Sequence, residues 1–238
     1  MKLLLAALTI FLAMPAFCGD AVRIGTTMAP PLSVPEGTGM LDRLMKDAFA
    51  RTGTPLVLVT LPSERGLISA AAGDTDGDIN RVAGLSAKYP ELVQVQEPNM
   101  VYEFMAFTLR KGPPVRTWQD LRDLNVAFIT GWKIFEENVK AKNIVKVDNA
   151  DQLFTLLSLN RVDAVLFDRW GGSHYLQKLG LTDAVAQEPP LVTRDMFLYL
   201  NRRFEHLAPL LAGALRDMKA DGSYDAIFGT PRKHPDTP

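Results

Sequence analysis

The chain has 238 residues, with 26 basic side chains against 27 acidic ones and a formal net charge of −1. This balance excludes a protein whose general surface is adapted to nucleic acid, because such surfaces carry a strong excess of lysine and arginine. The length suits one or two domains that bury a sizeable core without covalent staples. The single cysteine, Cys18, excludes a disulfide framework, and its loss with a leader would leave no thiolate nucleophile.

The first 18 residues have the pattern of a secretory signal peptide. An early lysine precedes an apolar run over residues 3–14, and Ala16 and Cys18 supply the small residues expected before a cleavage site. The run is shorter than the roughly 20 residues of a membrane span. We predict a signal peptide over residues 1–18, with cleavage after Cys18 or after Ala16. Attachment of a lipid to Cys18 is the less favoured alternative, because bulky Phe17 precedes it.

Strand and helix signals alternate through the rest of the chain, which is typical of the α/β class. Short apolar runs bounded by Gly, Pro or charged residues indicate strands, and apolar residues spaced three and four apart indicate helices. The strands are predicted at 22–26, 55–61, 79–82, 92–96, 101–109, 126–129, 144–147, 164–168 and 195–200. The helices are predicted at 40–52, 64–72, 150–159, 170–179, 204–218 and 224–228, with short ones after Thr117 and near Trp132.

The segment from Leu159 to Asp168 contains a turn, four consecutive apolar residues and then an acid. An apolar run without alternation is typical of an inner strand of a parallel sheet, which is covered on both faces. Ligands of open α/β sheets bind beyond the carboxyl ends of the strands, so Asp168 is the first ligand-binding candidate. The structural alternatives are an ion pair with Arg169 and capping of the helix that starts near Trp170.

The segment from Gly73 to Val82 repeats this arrangement, but it presents Arg81 instead of an acid. A charge within an otherwise apolar strand is costly unless it is paired, so Arg81 needs either an acid or a ligand. Pairing with Asp78 or Glu64 and binding of a ligand are both left open. Together the two segments predict opposite-charge anchors, Arg81 and Asp168, which would suit a zwitterionic ligand.

Two predicted helix starts supply further ligand-binding candidates. If Ser63 caps the second helix, Glu64 and Arg65 occupy its first turn, where a cation is unfavourable unless it meets an anion. An exposed arginine costs so little that a purely structural interpretation of Arg65 is equally good. The turn at Gly131 and Trp132 leads from a strand into a helix, and its free N–H groups would suit a carboxylate.

No cofactor and no metal site is predicted. The three histidines show no ligand spacing with one another or with acids. Asp74, Asp76 and Asp78 lack the glycine and the glutamate that a calcium loop requires, so they indicate a polar turn. Phosphate-loop, dinucleotide-binding and serine-hydrolase motifs are missing from the sequence as well.

The order of these elements resembles the type 2 periplasmic solute-binding proteins, specifically the amino-acid-binding family that serves ABC importers. The segments that carry the resemblance follow one another in the family's order and span nearly all of the mature chain. They are 22–26 with 30–32, 39–42, 73–79, 120–131, 160–168 and 219–224.

The resemblance implies an α/β fold with two lobes joined by two crossing strands, near residues 105–109 and 196–200. Residues 19–105 and 200–238 would form lobe one, and residues 106–199 would form lobe two. It also implies a periplasmic monomer that binds a small polar ligand, amino-acid-like or a carboxylate, and delivers it to an ABC permease. A sensor that reports to a membrane receptor and a dehydratase-like enzyme are the alternatives, and nucleic acid is not an expected partner.

The resemblance also assigns roles within the site. In the family, the aspartate at the position of Asp168 commonly meets a ligand ammonium, and the turn at Gly131 lies beside a ligand carboxylate. Apart from the resemblance, Trp132 is either an aromatic wall of the site or an amphipathic cover, and Tyr102 and Glu103 are candidates to line the crossing. For the enzyme alternative, Glu64 and Asp168 are the pair of acids that we nominate for general acid–base chemistry.

This sequence departs from the family at one position. The family's arginine lies in a Thr-x-x-Arg turn that follows the strand of the first lobe, where this chain has Leu85-Ser86-Ala87-Lys88. Arg81 or Arg65 is therefore the candidate replacement for that arginine.

Overall fold

A computed structural model of the chain describes residues 20–27 and 29–229. The predicted signal peptide, with Cys18 and both predicted cleavage sites, lies outside the described residues. Across the described residues, no helix is long and apolar enough to cross a membrane.

Strands and helices alternate along the described residues, as the apolar patterns predict. The strands are β1 (Val22–Thr26), β2 (Leu56–Thr60), β3 (Gly77–Val82), β4 (Leu92–Gln94), β5 (Met100–Leu109), β6 (Asn125–Ile129), β7 (Asn143–Val147), β8 (Ala164–Asp168), β9 (Ala184–Ala186) and β10 (Val192–Asn201). The α-helices are α1 (Met40–Arg51), α2 (Ser63–Ala72), α3 (Lys133–Asn138), α4 (Ala150–Ser158), α5 (Arg169–Lys178), α6 (Ala208–Ala220) and α7 (Ser223–Phe228). Short 3-10 segments occupy Leu85–Ala87, Trp118–Leu121 and Arg202–Leu207.

The strands form two parallel blocks around an antiparallel centre. The sheet has the order β2-β1-β3-β10-β5-β8-β6-β7, with β4 added beside β10 and β9 beside β5. The strands β2, β1 and β3 run parallel to one another, and so do β8, β6 and β7. The central strands β10 and β5 run antiparallel to each other and to the blocks that flank them.

The two long central strands connect the blocks. On β5, Phe104 is aligned with Val192 of β10 and with Asp168 of β8. On β10, Met196 is aligned with Met100 of β5 and with Val82 of β3. Each long strand therefore pairs on both sides. The strands β5 and β10 are the two crossings between the lobes. The precise lobe boundaries, 19–105 with 200–238 and 106–199, remain a prediction.

Apolar helix faces build the core of each lobe. In α1 the residues at helical spacing, from Leu41 to Phe49, include five that are at most 3% exposed. This face packs against α6 and α7. In the second block, α4 and α5 cover β8, where all five residues are buried. The rigid packing of each lobe fixes the strand ends at which the polar residues described below are placed.

Three local predictions were wrong. Ser63 does not cap α2, because Pro62 holds the cap position and Ser63 is already the first helical residue. The strand β8 runs parallel to β6 but antiparallel to β5, so it is not surrounded by parallel strands. The predicted helix 204–218 is divided into a 3-10 segment and α6, and Pro209 lies in the first turn of α6.

Candidate functional site

Buried polar side chains from both parallel blocks meet beside the crossing strands. Asp168 ends β8, Tyr102 lies on β5, and Asn80 and Arg81 lie on β3. Burial raises the pKa of Tyr102 well above its usual value, and the negative charge of Asp168 raises it further. The hydrogen bond of Tyr102 to Asn80 and the positive charge of Arg81 lower it. Three predicted site residues, Arg81, Tyr102 and Asp168, are therefore brought together in one polar cluster.

Asp168 is a buried carboxylate that has backbone donors but no cation. Its side chain caps α5, where the Gly171 N–H donates to Oδ1 at 2.8 Å, and the N–H of Trp170 also bonds to the carboxylate. The residue is 1% exposed. Burial raises its pKa to about 6, although these backbone hydrogen bonds lower it. The helix-capping role that the sequence left as an alternative is present. Capping leaves the negative charge of Asp168 without a counter-ion among the described residues.

Arg169 does not pair with Asp168. Its guanidinium donates to Glu188 at 2.7 and 3.0 Å and also pairs with Glu103. These partners hold the pKa of Arg169 above its usual value, Glu188 having the larger effect. Because Glu103 lies on β5 and Glu188 precedes β10, this network ties the start of α5 to both crossing segments.

Arg81 is held by residues of its own block. Its Nε donates to Asp78 Oδ2 at 2.7 Å, its Nη1 donates to Ser63 Oγ at 2.8 Å, and its Nη2 contacts Asp78 and the Ser63 carbonyl oxygen. Burial raises the pKa of Asp78 to about 6, while the charge of Arg81 lowers it. The side chain of Arg81 is 14% exposed and that of Asp78 only 1%. Of the alternatives left open for Arg81, the structure contains the ion pair with Asp78.

A β-bulge at Asn80 makes this ion pair possible. Residues i and i+3 of a regular strand point to opposite faces, so Asp78 and Arg81 would ordinarily face apart. Here Asp78 is aligned with Tyr199 and Arg81 with Phe197, so an advance of three residues on β3 corresponds to only two residues on β10. Asn80 takes a left-handed conformation with φ of 70°, and the extra residue turns Arg81 back toward Asp78.

Asn80 is a site residue that the sequence analysis missed. Its Oδ1 accepts a hydrogen bond from Asn99 Nδ2 at 3.1 Å, and its side chain also bonds to Tyr102. Asn99 is fully buried, and its own Oδ1 has no partner among the described residues. A left-handed non-glycine residue is strained by about 1–3 kcal/mol, which is typical of functional sites. One signal for this conformation was present in the sequence. Asparagine tolerates the left-handed conformation better than most residues, and here it occurs inside a predicted strand.

Glu64 and Arg65 lie at the exposed start of α2. The pKa of Lys133, at the start of α3 in the other block, is raised mainly by its hydrogen bond to Glu136 and to a smaller degree by the charge of Glu64. The charges of Glu64 in the first block and Lys133 in the second therefore interact, although no ion pair joins the two side chains. Arg65 is exposed, and no ion pair involves it within the described residues.

The turn at Gly131 and Trp132 is occupied by the protein's own groups. Glu136 Oε1 accepts from the Gly131 N–H at 3.3 Å, and Glu136 also bonds to Lys133 at 2.9 Å and Lys146 at 3.1 Å. These partners lower the pKa of Glu136 to about 2, Lys133 first among them.

Trp132 itself belongs to a cluster of stacked aromatic rings. Its ring stacks on Phe167 at 4.7 Å and on Phe135 at 5.5 Å, and it meets Phe104 edge-on. Phe167 immediately precedes Asp168 in β8, so the cluster fixes the end of the strand that carries the carboxylate. Trp132 thus supports the site by packing, and a direct contact with a ligand remains a prediction.

Among the described residues, no group of three or more His, Cys, Asp or Glu side chains is arranged to hold a metal ion. The acids of the predicted polar turn are engaged elsewhere. Asp76 accepts from the Arg23 N–H at 2.8 Å and pairs with Arg203, and Asp78 pairs with Arg81.

No family model and no curated protein matches the sequence. Solved structures match it in fold. The ligand-binding core of GluR0 in complex with L-glutamate has a TM-score of 0.78 and 17% identity, covering 88% of this chain and 97% of that one. The substrate-binding protein of an amino acid ABC transporter has a TM-score of 0.69 and 15% identity, with coverage of 87% and 96%. A histidine kinase sensor domain with similarity to periplasmic binding proteins has a TM-score of 0.72 and 15% identity, with coverage of 88% and 94%.

At these identities the similarity establishes the fold. The chain has the two-lobed α/β fold of type 2 periplasmic binding proteins, with two crossing strands between the lobes. The resemblance identified from the sequence motifs is confirmed at this level.

Proposed function

We propose that the chain is a periplasmic solute-binding protein that captures a small polar ligand between its lobes for an ABC importer. The ligand is amino-acid-like or a carboxylate. The observation that carries the proposal is Asp168, a buried carboxylate without a counter-ion among the described residues. Its charge acts on Tyr102 of the crossing strand β5, and Tyr102 bonds to Asn80 of the opposite block. An unpaired charge inside a protein lowers the stability of the folded state. A role in ligand binding would explain why this one is present.

A ligand would supply the group that the site lacks. We assign Asp168, Tyr102 and Asn80 to the deep end of the proposed site, and Glu64 and Arg65, which are exposed at the start of α2, to its mouth. Binding to both lobes would favour their closure around the ligand by bending at β5 and β10. We assign lobe one to residues 19–105 and 200–238, and lobe two to residues 106–199. Export by the predicted signal peptide would place the protein, as a monomer, in the periplasm.

Thermal unfolding in the presence of candidate ligands tests this function. A ligand at 100 times its dissociation constant stabilises the folded state by about 2.7 kcal/mol, which corresponds to a rise in Tm of about 5–10 °C for a protein of this size. We expect at least one compound from a panel of amino acids, amines, polyamines, peptides and organic acids to produce such a rise. If none did, the proposal would lose its support.

A ligand sensor is the second candidate function, because a histidine kinase sensor domain shares the fold at a TM-score of 0.72. The two functions require the same ligand site and differ in the membrane partner. Crosslinking of the exported protein in its own cells would distinguish them. Capture of a permease supports import, and capture of a receptor or kinase supports sensing.

The enzyme alternative requires a second proton-transfer group beside Asp168. Glu64 is exposed at the start of α2, and Asp78 is engaged by Arg81. We therefore propose binding without chemical conversion. Formation of product from an arogenate-like or prephenate-like compound would contradict this, whereas recovery of the unchanged ligand after binding supports it.

A further inference from the structure

We infer that the ligand is an organic cation whose ammonium group is held by Asp168, and that the site does not require a carboxylate on the ligand. This inference rests on the proposed function and narrows its ligand class. It follows from the charges within the site. Arg81 and the turn before α3 each already hold a carboxylate of the protein, while the buried carboxylate of Asp168 has no cation among the described residues.

The first such position is Arg81. Its guanidinium has five N–H donors, and hydrogen bonds to Asp78 and to both oxygens of Ser63 use the Nε and both terminal nitrogens. Asp78 is fixed tightly, since a Cβ atom added at Gly25 or Gly66 would lie 3.1 Å from its Oδ1. A ligand carboxylate would have to compete with this built-in one, so the charge of Arg81 is already neutralised.

The second such position is the turn before α3. Its Gly131 N–H points at Glu136, and the two nearest lysines, Lys133 and Lys146, bind that same carboxylate. A ligand carboxylate placed there would have to displace Glu136 from three partners.

At the position of the missing family arginine, Lys88 is exposed. Its ammonium lies 5.4 Å from the centre of the Tyr89 ring. This contact leaves Lys88 on the outer surface of the 3-10 segment, and it adds no positive charge to the polar cluster around Tyr102.

The polar cluster therefore carries a net negative charge. Arg81 and Asp78 cancel, which leaves Asp168 as the uncompensated charge. The unfilled hydrogen-bonding capacity is also of the accepting kind, since Asp168 retains lone-pair capacity beyond its three backbone donors, and Asn99 Oδ1 is buried without a partner among the described residues. An ammonium group has three donors and no acceptor, so it complements these oxygens better than any anion or neutral carbonyl does.

Arg65 is the residue that could reverse this conclusion. It is exposed at the first turn of α2 and has no ion pair within the described residues, so a ligand carboxylate could reach it at the mouth of the cleft. The inference predicts that removal of Arg65 leaves the preference between an amine and its parent amino acid unchanged, which makes an Arg65→Ala variant part of the test.

Isothermal titration calorimetry with matched ligand pairs tests the inference. Each pair consists of an amino acid and the amine formed by its decarboxylation: arginine with agmatine, ornithine with putrescine, and lysine with cadaverine. Succinate serves as the anionic comparison. The protein variants are wild type, Asp168→Asn, Arg65→Ala and Asp151→Asn. The last is a matched control, because Asp151 is an exposed acid on α4 that pairs with Lys178.

We expect at least one amine to bind as tightly as its parent amino acid or more tightly. Its affinity should fall more than tenfold in Asp168→Asn, because a charge-assisted contact to a buried group is lost. It should be unchanged in the control Asp151→Asn, and Arg65→Ala should not alter the preference between the amine and its parent amino acid.

Three results would overturn the inference while leaving the proposed function intact. They are an amino acid that binds more than tenfold tighter than its amine, a preference for succinate, and an amine whose affinity is unaffected by Asp168→Asn. Loss of an amino acid's advantage in Arg65→Ala would identify Arg65 as the carboxylate anchor. If no compound of the wider thermal panel bound either, the proposed function and the inference would fail together.

Discussion

Asp168 weakens the ligand-free protein at neutral pH. Its pKa in the folded state is raised to about 6 by burial, above the ordinary value of 3.8. The folded state therefore holds the proton more strongly than the unfolded state. The stabilisation from this proton is fully present below about pH 4 and is lost as the pH rises through about 6. The shift corresponds to at most about 3 kcal/mol of destabilisation at pH 7.

We accordingly expect Asp168→Asn to stabilise the ligand-free protein at pH 7. Asparagine caps helices as well as aspartate does, so the start of α5 should remain intact while the buried charge is removed. Urea unfolding should show a gain of about 1–3 kcal/mol at pH 7 that vanishes near pH 4. A variant less stable than wild type at pH 7 would mean that the Asp168 charge is compensated in the ligand-free protein.

The residues of the site were only partly predictable from the sequence. Asp168 could be identified because a strand end is encoded locally, by an apolar run that stops at an acid. The ion-pair partner of Arg81 could not be identified, because alternation along a regular strand would place Arg81 and Asp78 on opposite faces. The bulge at Asn80 depends on the pairing of β3 with β10, which are more than 100 residues apart in the chain. Long-range pairing of this kind leaves no local pattern.

Most elements were predictable because their apolar spacing and caps act within a few residues. Asn149, immediately before the first residue of α4, caps this helix by accepting from the Gln152 N–H at 2.9 Å. The wrong capping assignment of Ser63 has a tertiary cause, since Pro62 holds the cap and Arg81 uses the Ser63 hydroxyl. The strand β9 was missed because three residues are too few to show a period, and its pairing with β5 defines it.

Helix α5 is held against the crossing strand by two glycines. A Cβ atom on Gly172 would lie 2.0 Å from Phe107 Cζ of β5, and one on Gly171 would lie 2.3 Å from Phe167 Cε1. Both rings are in the buried core, so neither can move away freely. Close approach therefore explains glycine at these helical positions, where it is otherwise unfavourable.

Two Gly→Ala substitutions test this packing. Gly172→Ala should destabilise the protein by about 1–3 kcal/mol, because an added methyl group overpacks the core. The matched control is Gly213→Ala in α6, where nothing lies within 4 Å of the new Cβ, and where a gain of about 0.5–1 kcal/mol is expected from helix propensity. Chemical denaturation of both variants provides the measurement. Equal effects of the two substitutions would show that α5 can withdraw from β5 without loss.

At the scale of the whole molecule, the proposed closure about β5 and β10 would bring together charged residues at the starts of α2 and α3. Glu64 belongs to α2 of the first block and Lys133 to α3 of the second, and the charge of Glu64 already raises the pKa of Lys133. The proposed closure would shorten the distance between these residues. Their attraction would then be stronger in the closed, ligand-bound state than in the open one, and it would contribute to affinity through that difference.

Reversal of one charge tests this coupling. Lys133→Glu should weaken ligand binding about two- to fivefold at low salt, since attraction between exposed charges contributes only modestly to affinity. Because such attraction is screened, the difference from wild type should largely disappear at about 0.5 M salt. Lys178→Glu is the matched control, since it makes the same change in net charge at an exposed residue of α5 that pairs with Asp151. Calorimetric titrations of all three proteins at both salt concentrations separate the effect of the charge at position 133 from the effect of the net charge of the protein. If Lys178→Glu weakened binding as much as Lys133→Glu, net charge rather than the interaction of Lys133 with Glu64 would govern affinity.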